Sequence, residues 1–108
     1  MVNTEIKNRV ADIFGEATQM QQLVEEMAEL TKAICKYARV NGQGQPVREG
    51  VTPETVEANL VEELADVQLV LEQVIYLHGC ERSVEEAMEK KIKVAEERAE
   101  AVCKKHKE

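Results

Sequence analysis

The 108-residue chain carries 21 acidic against 14 basic residues, a formal charge of −7, with one Phe, two Tyr and no Trp among its apolar residues. That length predicts a single domain over residues 1–108, and a core this poor in large side chains is expected to gain burial by self-association. The acid excess argues against a nucleic-acid partner, which needs a basic face, and three cysteines without CxxC spacing argue against a disulfide framework or a zinc site.

Four segments show helical periodicity. The first runs from about Asn3 to Phe14, with Ile6, Val10 and Ile13 on one side, and ends near Gly15. The second covers about Glu16 to Val40, where Leu23, Met27, Leu30, Ile34 and Tyr37 recur at alternate intervals of four and three, the mark of an apolar seam. It stops at Asn41-Gly42-Gln43-Gly44-Gln45-Pro46, the one stretch of loop composition. Thr52-Pro53-Glu54 opens the third helix, Thr52 as cap and Pro53 at the first helical position. This helix shows Leu60, Leu64, Val67, Leu71 and Val74, and Gly79 closes it. Ser83-Val84-Glu85-Glu86 reads as a capping box opening a fourth helix to about Lys104. No strand pattern competes, so the expected fold is all-α, a chain like a four-helix bundle whose helices pack within a homo-oligomer. No apolar run nears 18 residues and no signal-like segment opens the chain, so no membrane partner is expected and the predicted location is cytoplasmic.

The second and third helices share a repeat. Leu23-Val24-Glu25-Glu26-Met27-Ala28-Glu29-Leu30 returns as Leu60-Val61-Glu62-Glu63-Leu64-Ala65-Asp66-Val67, with five of eight positions identical. At about 100° per residue, Met27, Leu30 and Ile34 fall within about 40° of Leu23, with Glu26 about 60° and Glu29 about 120° to one side. Glu63 and Asp66 hold the same two angles from Leu60. Both acidic pairs are therefore expected on the flank of the seam, partly buried, and they converge if the seams pack.

Four carboxylates in one half-buried place repel each other and resist ionisation. A hard divalent cation resolves that conflict, and oxygen donors suit Mg²⁺, or Mn²⁺ in its place. Magnesium completes its shell with water and phosphate oxygens, which points to a phosphate-bearing substrate. The competing reading is a solvated acidic face. A di-iron carboxylate bundle is a weaker competitor, because it would need Glu-x-x-His and neither repeat has a histidine at that spacing.

With Glu25-Glu26-Met27-Ala28-Glu29 on one helix and Glu63-Leu64-Ala65-Asp66 on the next, the chain resembles the MazG-like, all-α nucleoside triphosphate pyrophosphohydrolases over about Gly15 to Tyr76. The resemblance implies Glu26, Glu29, Glu63 and Asp66 as metal ligands. It also implies attack of water on a nucleoside triphosphate, giving the monophosphate and pyrophosphate, and a homodimer or homotetramer as the working state. Glu25 is the candidate to orient or deprotonate the water, a role that Glu29 could share. Relatives place a Lys and then an Asn or Arg on the last helix to hold phosphates; Lys91 and Arg98 are the counterparts here, and no Asn lies on that helix.

Gln19 and Gln22, a turn or two before the first motif, are candidates to contact base or sugar, against simple exposure. His78 reads as a helix-end histidine and His106 as part of a basic tail. Val70 and Leu77, on the flank of Glu63 and Asp66, call for a second neighbour beside the seam partner, for which a second subunit is one source. Three functions follow: a pyrophosphohydrolase, a metal- or nucleotide-binding regulatory helical module without turnover, and a plain interaction module with solvated acids.

Overall fold

A computed structural model of the protein describes residues 1–42 and 50–107. Regular structure among them is wholly helical: α1 (Thr4–Phe14), α2 (Glu16–Val40), α3 (Pro53–His78) and α4 (Glu81–Lys107). The chain divides into two compact units, Met1–His78 and Gly79–Glu108. No described helix is long and apolar enough to cross a membrane. The loop expected from Asn41 to Pro46 begins as a turn at Asn41 and Gly42, and its remainder lies outside the described residues.

Local chemistry explains where the helices begin and end. The Asn3 side chain accepts the Ile6 N–H at 3.1 Å and so caps α1. Gly15, at φ +88°, closes α1 through its N–H to the Ala11 carbonyl at 2.8 Å and opens α2 by accepting from Gln19 at 3.1 Å. A side chain at that φ would be strained, so glycine alone makes this one-residue corner freely. Thr52 caps α3 as expected, its hydroxyl accepting the Thr55 N–H at 3.2 Å. Helix α4 starts two residues before the expected capping box: the Val84 N–H reaches back to the Cys80 carbonyl at 2.9 Å. Ser83 therefore lies inside the first turn.

The faces that pack overlap the faces the apolar periodicity marks, with Leu23, Leu30, Tyr37, Leu60, Val67 and Val74 half-buried, but are rotated from them. On α1, Ile6 and Ile13 are exposed and Ala11 is buried, with Lys7 and Val10 half-buried beside it. On α2, Met27 and Ile34 are half exposed, while Ala33 and Gln19 are buried. On α3, Leu64 and Leu71 stay out and Val56, Val70 and Gln73 go in. The inward line on α2 and α3 is thus turned by roughly 50° from the expected seam toward its acidic flank. Its fully buried residues are the small or β-branched Ala33, Val56 and Val70 together with Gln19 and Gln73.

Helix α3 packs against both α2 and α1. Val70 is therefore buried within its own unit, where the sequence left room for a second subunit to cover it. A buried amide pair joins all three helices. Gln19 Nε2 donates to Gln73 Oε1 at 2.7 Å, and Gln73 Nε2 donates to the Lys7 carbonyl at 3.0 Å. Lys7 also donates from Nζ to Glu72 Oε1 at 2.8 Å, and the Tyr76 hydroxyl to Asp12 at 2.9 Å. His78 ends α3 with Nδ1 3.2 Å from Glu16 Oε1.

Candidate metal centre

The turn of the packing line decides where the carboxylates fall. Glu26 is on the same side of Leu23 as Ala33, and Glu63 stands in the same relation to Leu60 and Val70. Both glutamates consequently sit on the inward line and are half-buried, where flank positions were expected. Packing of α2 on α3 then brings them together. Glu26, Glu63 and Asp66 each present one carboxylate oxygen, and these three oxygens lie within 4.8 Å of one another. One pair of equivalent repeat positions, Glu26 and Glu63, thus meets, and Asp66, itself exposed, joins them without its own equivalent Glu29.

Glu63 is the centre of this group. Its Oε2 is closed off from solvent and has no hydrogen-bond partner. Desolvation pushes the Glu63 carboxyl above the usual carboxylate range, and the charges of Asp66, Glu26, Glu29 and Glu62 push the same way. Glu26 is held from its own helix, Gln22 Nε2 donating to Oε1 at 2.6 Å. An acceptor left unpaired is costly in a half-dry place crowded with like charge. An all-oxygen donor set with one orphaned oxygen suits a hard cation such as Mg²⁺ or Mn²⁺. Three carboxylates also leave coordination positions for water and phosphate oxygens.

The remaining expected site residues are distributed as follows. Glu29 is exposed and 3.6 Å from Lys32 Nζ, outside the group of three, although its charge still bears on Glu63. Glu25 is exposed on α2. Gln22 is engaged with Glu26. Gln19, a candidate for base or sugar contact, is instead buried against Gln73 and unavailable to a ligand. Lys91 and Arg98 are exposed on α4, in the second unit.

Gln22 as the support of Glu26 is a role that sequence reasoning missed. Its signal was present, since a Gln four residues before a Glu on a helix is a standard hydrogen-bonding spacing. The Lys7–Glu72 pair joins residues far apart in sequence and had no local signal. Comparison of the chain with models of known families, with curated proteins and with solved structures returns no match.

Proposed function

We propose that the chain is a Mg²⁺-dependent hydrolase that converts nucleoside triphosphates to nucleoside monophosphates and pyrophosphate. The observation that carries this reading is the meeting of Glu26, Glu63 and Asp66 within 4.8 Å, with one Glu63 oxygen left without a partner. Those three residues would hold the metal, with Glu29 as the fourth carboxylate within electrostatic reach. When bound, the cation polarises phosphate oxygens and lowers the pKa of a coordinated water. The chain's own part is positional: Gln22 fixes the Glu26 rotamer, the α2–α3 interface fixes Glu63, and Glu25 or Glu29 orients or deprotonates the attacking water.

The substrate class rests on the resemblance of the two acidic motifs to MazG-like enzymes and on the preference of carboxylate-bound Mg²⁺ for phosphate oxygens. The same proposal places the protein in the cytoplasm as a homodimer or homotetramer, with nucleotide-pool clearance as the role. A binding module without turnover is the second reading. It is favoured by the position of Glu29, which faces Lys32 in place of joining the other three.

Product analysis separates them. Incubation with a panel of NTPs and dNTPs plus Mg²⁺, then Mn²⁺, is expected to yield monophosphate and pyrophosphate, and Glu63→Gln is expected to abolish both. Metal-dependent nucleotide binding without either product would establish the second reading in place of the first.

A further inference from the structure

Helix α4 carries an apolar stripe with sorted charges along its edges. With Met88 at zero, Val84, Ile92, Ala95, Ala99 and Val102 fall within about 40° of it. From Met88 onward the intervals alternate four and three, the seam spacing of a two-stranded coil. No residue of α4 is buried, and Met88, Ile92 and Val102 are each more than half exposed.

The flanks differ in sign. Glu89 and Glu96 lie about 80–100° to one side of the stripe, and Lys91, Arg98 and Lys105 about 60–100° to the other. Lys91 and Arg98 also lack acidic neighbours along the helix. Every residue three or four positions from either is Ala, Val or Met, so neither charge is answered within α4.

Two copies of this helix laid side by side in parallel place the basic flank of one on the acidic flank of the other. The five-residue offset of such a pair sets Lys91 opposite Glu96 of the second copy, twice by symmetry. Laid antiparallel, base meets base and acid meets acid. We propose that α4 is a self-association helix, pairing with α4 of a second chain in parallel through Met88, Ile92, Ala95, Ala99 and Val102, with Lys91–Glu96 ion pairs fixing the orientation. Lys91 then answers a carboxylate, where the family resemblance gives it a phosphate. The inference rests on α4 alone and is independent of the metal centre.

Orientation and charge can be tested in the full-length chain. In a background of Cys35→Ser, Cys80→Ser and Cys103→Ser, Met88→Cys and Val102→Cys are each expected to cross-link to themselves under mild oxidation. Mixing the two variants should add no mixed cross-link. Sedimentation equilibrium should show a dimer whose dissociation constant rises about threefold or more in Lys91→Glu, as loss of exposed ion pairs allows, and recovers in Lys91→Glu/Glu96→Lys. A monomeric chain, cross-linking found only in the mixture, or weakening by Lys91→Glu that Glu96→Lys deepens would each overturn the proposal. So would a dimer indifferent to all of these changes.

Discussion

The α2–α3 pair and α4 are both helices dense in glutamate, yet they use it in opposite ways. On α2 and α3 the equivalent glutamates Glu26 and Glu63 fall on the line that packs and the exposed Asp66 joins them, one Glu63 oxygen being without a partner. On α4 the acids lie on exposed positions, as in the Arg82–Glu86 pair at 3.9 Å, both side chains exposed. Acid density alone therefore says little about function. What matters is the angle between a carboxylate and the packing face, and whether a base lies three or four residues away.

The sharpest way to break this contrast is to neutralise the clustered acids. Glu26→Gln, Glu63→Gln and Asp66→Asn are each expected to lower pyrophosphate release by more than the roughly 10–100-fold seen when only an outer support of a metal ligand is lost. Helical content by circular dichroism should stay unchanged, and Glu97→Gln on the exposed face of α4 should leave metal-dependent thermal stability as it is. Full activity in all three α2–α3 variants would place the cluster with the solvated acids of α4.

Metal addition gives the next largest effect. At a hundredfold excess over Kd, Mg²⁺ or Mn²⁺ should stabilise the native chain by about 2.7 kcal/mol, raising Tm by roughly 10 °C or more. No shift by calorimetry in the wild-type protein would remove the difference between the two regions. A polar-core variant sharpens the contrast from another side. Gln73→Ala leaves the buried Gln19 amide without its partner and should cost about 1–3 kcal/mol in urea unfolding. Glu97→Ala on the exposed face of α4 should change stability by no more than about 0.5 kcal/mol.

The smallest effects are in pH dependence, where the signs are opposed within the first unit. The Glu63 carboxyl is raised in the folded protein by desolvation and by its acidic neighbours. Its relative contribution is fully present below its unfolded pKa and is lost as pH rises through the folded value. Metal-free Glu63→Gln should accordingly be more stable than wild type at neutral pH, the gap closing on acidification. The Glu72 carboxyl is lowered, chiefly by the hydrogen bond from Lys7, so its stabilisation is present at neutral pH and is lost as pH falls through the folded value. Lys7→Met should be less stable than wild type at neutral pH and converge with it in acid. Urea titrations at several pH values check both slopes; equal signs would refute the assignments.

Much of the fold was legible because its signals are local. Glu16–Val40 is the segment the periodicity marked, and Asn3, Gly15 and Thr52 act where their types predict. The convergence of Glu26 with Glu63 and Asp66 was legible from the repeat, which placed the same angles on two helices. The packing face was read in part: Leu23, Leu30, Leu60 and Val67 are half-buried as the seam expects, while Met27, Ile34, Leu64 and Leu71 are exposed. The four-three spacing of Leu23, Met27, Leu30 and Ile34 marks an apolar surface, but the fully buried residues Ala33, Val56 and Val70 stand to one side of it. Long-range polar choices had no local signature: nothing near Gln19 announces Gln73, 54 residues away.

That amide pair has a consequence for how the first unit comes apart. Gln73 takes its hydrogen bonds from α2 and gives them to the backbone of α1, so lifting any one helix strands a polar group on another. The small aliphatic contacts around it are non-directional and would tolerate a helix sliding by a turn; the amides would not. The three helices should thus open as one cooperative unit, with amide protons near Gln19, Gln73 and Ala11 exchanging at a common rate.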